Sequence, residues 1–391
     1  MLSKRQWDYI PLGDAVDICD TLRKPINAKE RQVRTSGKKQ SELYPYYGAT
    51  GQVGYIDDYL SDGEYVLLGE DGAPFLDAYA QKAYIITGKA WINNHAHVLR
   101  SKRNNRFLCY YLNYFNYKGF VSGTTRLKLT QGVMRQIPVP VPTEAEQKRI
   151  VARIEELFSE LDNGVETLRK TKQQLAVYRQ AVLETAFREC ASKENVQFGD
   201  ILSEKPRNGY SPKGVDYQTK YRNLTLTATT SGYFRDNCFK YVDIDIDDDS
   251  YLWVKHNDIL IQRANTIEYV GTAVLYQGED NRYVYPDLMM KCHTKDGINP
   301  QFVVYQLQSR VCKTHFRENA TGTSGSMPKI NQQTVMTSPI VMTSLDEQER
   351  IVKQIGERLS VCDSIEKTVD TALRQAEAMR QSILKQAFEV K

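Results

Sequence analysis

Between residues 150 and 182 the apolar positions fall on a seven-residue beat: Ile154, Leu161, Leu168, Leu175 and Val182. Ile150, Leu157, Val165 and Tyr178 sit three or four residues from them, which completes the a/d seam of a coiled coil. A second stretch near the C-terminus puts Ile355, Cys362, Val369, Ala376 and Ile383 on the matching positions, and these smaller side chains admit the bulkier ones of the first seam at close range. Each stretch follows a proline-containing, strand-like run, Ile137–Pro142 and Ser338–Met342. A capping-box pattern comes next, Thr143 with Glu146 and Ser344 with Glu347. About forty helical residues make a rod of roughly 60 Å. That length and the charged outer faces exceed what an ordinary core helix needs. The pattern predicts two long helices that pair antiparallel within the chain, closing a pseudo-twofold internal repeat.

The intervening regions read differently. Short β-branched and aromatic runs (Tyr65–Leu68, Ala83–Thr87, Asp258–Ile261, Thr272–Tyr276) are punctuated by Gly, Asn and Asp, and short helices are expected at 104–117 and 299–315. The acidic run Asp243–Asp249 is read as an edge strand entering a turn rather than a metal site. The expected class is α+β: two mixed α/β domains, 1–143 and 191–343, separated by the long helices of 144–190 and 344–391.

The two halves are copies. An ungapped offset of 201 pairs Lys128 with Lys329, Gln131 with Gln332, Pro138 with Pro339, Gln147 with Gln348, Ile150 with Ile351, Asp162 with Asp363, Arg179 with Arg380 and Phe187 with Phe388. Upstream the likeness thins to echoes such as Leu12-Gly13-Asp14 against Phe198-Gly199-Asp200. The helices are the kept part and the globular regions the diverged part.

Composition adds little to this picture until it is resolved along the chain. The 391 residues carry a net charge of only +4, but 1–143 holds 19 Lys+Arg against 13 Asp+Glu while 191–343 holds 17 against 17. A local basic excess is the footprint expected of phosphate contact, although solvated surface charge gives the same signal. Twenty-five tyrosines suit stacking and phosphate hydrogen bonding as well as ordinary cores. The seven cysteines are scattered, with no CxxC pair, which argues against a disulfide framework or a zinc knuckle. No signal-like N-terminus and no run of 18 apolar residues is found, so a cytoplasmic protein without a membrane span is expected.

Catalytic signatures are missing. There is no phosphate-binding GxxxxGK[ST] loop, and the glycines of 48–54 and 322–325 do not fit GxGxxG. The aromatic Asn-Pro-Pro or Asp-Pro-Pro-Tyr segment of an amino-methyltransferase is absent. His95 and His97 form a lone HxH, so no metal site is expected. Glu146-Gln147-Lys148 imitates the end of a nuclease motif, but its second copy, Glu347-Gln348-Glu349, lacks the lysine, and glutamate in a first helical turn has a capping role.

An ordered set of segments gives the sequence a family likeness. Ser122–Leu129, then Ile137–Pro142, then Glu146–Val151 is similar to the passage from recognition domain to conserved helix in the specificity (S) subunits of type I restriction–modification systems. The second copy repeats it as Gly322–Ile330, Pro339 and Glu347–Val352, and Tyr44–Gly51, Val66–Gly72 and Asn93–His95 resemble further family segments. The second copy departs from the pattern in having Met327 where the first has Arg126, and in showing no counterpart of Gly69–Gly72.

The resemblance implies a DNA-recognition subunit without a catalytic centre. Each globular domain would read one half of a split, asymmetric site in double-stranded DNA. The helices would set the spacing and dock two methyltransferase subunits, and a translocase–nuclease subunit would join them. S-adenosylmethionine would belong to the methyltransferases; no cofactor is expected on this chain. Phosphate contact needs Lys, Arg and hydroxyls, and base contact needs Arg, Asn, Gln or Lys on loops. In the first domain these criteria select Lys38, Lys39, Tyr47, Thr50, Ser122, Thr124, Thr125, Arg126 and Lys128. In the second they select Arg207, Lys213, Arg235, Arg263, Asn265, Thr323, Ser324 and Lys329. Three other readings stay open on sequence alone: the specificity chain of a combined cutting–methylating complex, a nuclease or methyltransferase with an unrecognised site, and a coiled-coil scaffold that binds only protein.

Overall fold

The computed structural model describes residues 7–190, 194–322 and 327–389. Two helices dominate, Glu144–Arg188 and Leu345–Phe388, of 45 and 44 residues. The chain forms two compact units, Met1–Lys170 with Val369–Lys391, and Thr171–Thr368. Each unit therefore holds one globular region, the start of the helix that follows it and the end of the other long helix. Both halves of this chain are needed to finish either unit.

In the first unit, strands β1 (Val16–Ile18), β2 (Tyr65–Gly69), β3 (Ala83–Ile86) and β4 (Ala96–Ser101) form an antiparallel sheet in the order β1-β4-β2-β3. β2 is buried at every position. Its alternation decides where each side chain goes: Val66 and Leu68 join the core around the helix Asn105–Tyr114, while Tyr65 and Leu67 face a second cluster with Tyr84, Ile92 and Val98. In the second unit β5 (Arg207–Asn208), β6 (Ile259–Gln262), β7 (Ala273–Leu275) and β8 (Met289–Cys292) repeat the same order, β5-β8-β6-β7. Ile259 and Ile261 face one core and Leu260 the other, as in β2.

A two-stranded antiparallel sheet also recurs, Tyr9–Pro11 with Pro138–Pro140 and Glu194–Gln197 with Pro339–Met342, but the third sheet of each unit differs. The first unit adds four strands (Tyr44–Tyr47, Gln52–Ile56, Ser61–Asp62, Lys89–Ile92), and the second adds three (Gly214–Val215, Tyr221–Leu224, Phe239–Val242). The edge strand expected over Asp243–Asp249 is not formed: the strand stops at Val242, and Ile244 and Ile246 pack instead against Leu252, Trp253 and Val284. The alternation itself survives, with Asp243, Asp245 and Asp247 exposed and the two isoleucines half-buried, but the segment makes no strand pairing. The helix expected over 299–315 is broken into Pro300–Leu307 and Arg310–Glu318.

Several kept residues of the helices do the same work twice, although Gln131 donates to the Asp20 carboxylate and its counterpart Gln332 to the Pro206 carbonyl. The Thr143 hydroxyl accepts from the Glu146 N–H at 3.3 Å and caps the first long helix. Gln147 and Gln348 are buried, and their amides donate to the carbonyls of Pro142 (3.1 Å) and Thr343 (2.8 Å). In the first unit Arg380 pairs with Asp162 and lies 4.8 Å over the Phe158 ring. In the second, Arg179 pairs with Asp363 at 2.6 Å and Glu366 at 3.1 Å. Partner numbers rise along one helix as they fall along the other, so the pairing is antiparallel. Of the seam, Ile154, Leu175, Val182, Ile355, Cys362, Val369 and Ala376 are buried, and Leu161, Leu168 and Ile383 are half-buried.

The helix ends are tied down by aromatic packing. Phe388 lies against Phe107, Tyr111 and Tyr114 in the first unit, and its counterpart Phe187 against Phe302 in the second. Among the described residues no helix is long and apolar enough to cross a membrane.

Candidate nucleic-acid interface

β2 leaves the core at Gly69 and turns through Glu70, Asp71 and Gly72. Two other segments close on this corner. The loop Ser122–Lys128 is pinched at its base, where the backbone groups of Ser122 and Lys128 exchange hydrogen bonds of 3.0 and 2.8 Å. It is then stitched to the corner by Gly72 N–H to Leu127 O (3.0 Å) and Leu129 N–H to Glu70 O (2.7 Å). The turn Gly48–Gly51 lies alongside, because a Cβ on Gly69 would come 3.3 Å from the Ala49 carbonyl. Gly123 is required inside the loop. Its φ of +99° is left-handed, and a Cβ there would fall 2.4 Å from the Arg126 carbonyl.

The charges at this corner are arranged in layers. Asp71 accepts from Arg126 at 2.8 Å and stands 2.6 Å from the His95 Nδ1. Glu70 pairs with Arg23 and, at 3.4 Å, with Lys128. Beneath them Asp20 binds the His97 ring (2.9 Å), the Val98 N–H (2.8 Å), Gln131 (2.9 Å) and Arg23 (2.9 Å). Burial pushes the Asp20 carboxyl up, but these hydrogen bonds outweigh it and hold the group below its ordinary range. Carboxylates thus form a floor, while Arg126 and Lys128, with side chains 60% and 50% exposed, stand at the rim beside the exposed hydroxyls of Ser122, Thr124 and Thr125. This surface offers forked and point-charge donors to an anion or a base edge.

The second unit builds the same corner from different side chains. Thr321 and Lys329 exchange backbone hydrogen bonds of 2.8 and 2.9 Å, Ile330 N–H donates to Arg263 O at 2.9 Å, and Asn265 N–H to Pro328 O at 3.3 Å. Glu70 N–H to His95 O and Arg263 N–H to Leu288 O are both 2.8 Å. These equivalences supply the counterpart of Gly69–Gly72 that the sequence did not show: Gln262-Arg263-Ala264-Asn265. Its loop is two residues longer between the pinching residues, 321–329 against 122–128.

Of the residues selected from sequence, the structure gathers Ser122, Thr124, Thr125, Arg126 and Lys128 at the first corner, with Thr50 in the turn alongside, and Arg263, Asn265 and Lys329 at the second; Tyr47 packs half-buried with its ring 5.8 Å from that of Tyr84. The structure does not bring Lys38 and Lys39 to the corner: Lys38 pairs with Asp57 at 2.6 Å, and Lys39 begins a turn closed by Glu42. Arg207 pairs with Glu204 and lies over Tyr251, Arg235 lies over Tyr233, and Lys213 is exposed away from the corner contacts. Thr323 and Ser324 fall outside the described residues. Glu70, Asp71 and His95 were not selected, although they lie in segments already noticed, because a carboxylate is not an obvious partner for DNA. Among the described residues no cluster of three His, Cys, Asp or Glu side chains is placed to hold a metal.

Comparisons with known proteins agree with this arrangement. Residues 4–175 match the family described as the type I restriction modification DNA specificity domain. The chain is 27% identical over 387 residues to a putative type I restriction enzyme specificity subunit, S.HindORF215P, of Haemophilus influenzae, covering 96% of this chain and 94% of the relative. It is 26% identical to the EcoKI specificity subunit of Escherichia coli, over 64% of this chain and 57% of that one. A solved chain from work on the assembly of a type I R-M system shares the fold, with a TM-score of 0.69 at 13% identity over 98% of this chain and 97% of that one. Over residues 4–175 the chain is thus similar to the type I restriction modification DNA specificity domain, and over nearly its whole length to a type I restriction enzyme specificity subunit.

Proposed function

We propose that each globular region, 1–143 and 191–343, reads one half of a split, asymmetric site in double-stranded DNA. The helices of 144–190 and 344–391 fix the separation of the halves and dock two methyltransferase subunits, which a translocase–nuclease subunit joins. The observation that carries this reading is the pair of equivalent corners: one backbone framework, held by the same four sets of hydrogen bonds, presents Glu70, Asp71 and Arg126 in one copy and Arg263, Ala264 and Met327 in the other. A framework kept while its exposed chemistry changes suits two readers of different words. The helices keep Gln147/Gln348, Arg179/Arg380 and Phe187/Phe388, as a docking geometry used twice requires. A helix of 45 residues is about 67 Å long, more than the ~34–36 Å of one DNA turn.

The chain itself carries out no bond chemistry in this account. S-adenosylmethionine binds the methyltransferase partners, and the specificity chain positions them on DNA. Long-read methylation mapping of a strain expressing this chain with its methyltransferase subunit tests the proposal. A two-part adenine-methylated motif with a fixed gap is expected; an active methyltransferase that leaves no sequence motif contradicts it.

A further inference from the structure

The two corners keep a lysine in place and move an arginine. Lys128 and Lys329 occupy the same position, each closing its loop through paired backbone hydrogen bonds, to Ser122 and Thr321. The guanidinium does not stay put. In the first unit it comes from the loop, as Arg126, aimed by Asp71 at 2.8 Å and close to the His95 ring at 3.3 Å. In the second the loop has Met327 instead, and the guanidinium comes from the strand end, as Arg263 at the position of Glu70. The two guanidiniums therefore enter their sites from opposite sides of the same hydrogen-bonded seam.

Their surroundings differ in the same sense. Among the described residues no carboxylate pairs with Arg263; its Nη1 reaches only the Asp287 carbonyl, at 3.4 Å, and its Nε is buried without a partner. A guanidinium held this way keeps most of its donor fork unspent. Contact with a phosphate needs a positive charge at a fixed backbone position, and it is the same for every sequence. Reading guanine needs a planar fork presented along one direction to O6 and N7, and changing the direction changes which base pair is met.

We infer that Arg126 and Arg263 are the specificity-determining residues of the two readers, each donating a bidentate pair to a guanine in its own half-site, while Lys128 and Lys329 hold phosphates. The inference rests on the DNA-recognition reading above. It identifies the relocated arginine as the reason the two half-sites differ, and it accounts for the loss of the loop arginine in the second copy.

The test uses the chain co-expressed with its methyltransferase subunits and genomic DNA as the probe. Arg263→Lys keeps the charge and removes the fork. It is expected to relax one position of one half-site by roughly 5- to 150-fold, the discrimination of one bidentate pair, and to leave the other half-site and the gap unchanged. Arg126→Lys is expected to do the same in the opposite half-site. Lys329→Gln is expected to weaken binding of all sequences alike and to lower the salt slope by about one. The untouched half-site reports folding within the same molecule. An unchanged motif with Arg263→Lys, or relaxation of both half-sites together, overturns the inference; so does a salt slope that falls with Arg263→Ala while the motif stays intact. A wild-type complex with no sequence motif refutes the recognition reading instead, so the two failures are distinguishable.

Discussion

Replacing Phe388 by alanine removes the side chain that fastens the end of the second long helix to the first globular region. Phe388 is 3% exposed, with ring centroids 5.4 Å from Phe107, 5.4 Å from Tyr111 and 5.5 Å from Tyr114. Truncating a buried phenylalanine costs about 3–5 kcal/mol, and each aromatic pair adds roughly 0.5–1.5 kcal/mol beyond area, which puts this site in the upper half of the range. The counterpart Phe187 is only half-buried and has one such pair, with Phe302 at 5.5 Å, so Phe187→Ala is expected to cost about half as much. Amide hydrogen exchange of the helix Asn105–Tyr114 reads the first unit locally. Phe388→Ala is predicted to speed exchange there by about three to three and a half orders of magnitude, at 1.4 kcal/mol per decade. Phe187→Ala is predicted to act on Pro300–Leu307 instead. Less than a tenfold change at Asn105–Tyr114 in the Phe388 variant refutes the account of how the repeat closes.

The other consequences are smaller. Reversing the charge of Arg179 and of Asp363 singly and together gives a double-mutant cycle whose coupling is expected to be about 0.5–1 kcal/mol, because the arginine is half-covered and the aspartate exposed; zero coupling means the pair is incidental. Asp20→Asn is expected to destabilise the first unit by roughly 1–3 kcal/mol at neutral pH. Because the folded carboxyl lies below its ordinary 3.8, that increment is present above 3.8 and is lost as pH falls through the depressed value, so acid titrations of wild type and variant should converge at low pH. Cys19 and Cys238 are the partly exposed thiols of the seven, while burial pushes Cys109 and Cys312 up to about 12, so a thiol reagent should titrate two groups quickly in the native protein and seven after unfolding.

The helices were legible because a seven-residue beat survives any tertiary context that buries one face, and Ile154, Leu175 and Cys362 lie where that beat puts them. The repeat was legible there for the same reason, since Gln147, Arg179 and Phe187 are each fixed by a partner that the second copy must match. The corner was half legible. Arg126 and Lys128 follow from their chemistry, but the equivalence of Glu70 with Arg263 is carried by backbone hydrogen bonds, which leave no trace in side-chain identity. Charge alone does not tell where a cation lies: Lys38 and Arg207 pair with Asp57 and Glu204 apart from the two corners, whereas Arg126 and Lys128 pair with the carboxylates of the corner itself. The Asp243–Asp249 run misled because alternation reports which side chains are covered, here the half-buried Ile244 and Ile246, but not whether the backbone finds a strand to pair with.

Exchange of residues 191–343 for the corresponding region of a related specificity subunit, followed by methylation mapping with the same methyltransferase subunit, tests most directly whether the two regions read independently. The account predicts a motif in which one half changes, the other half stays and the gap keeps its length. A change in both halves, or in the gap, contradicts it.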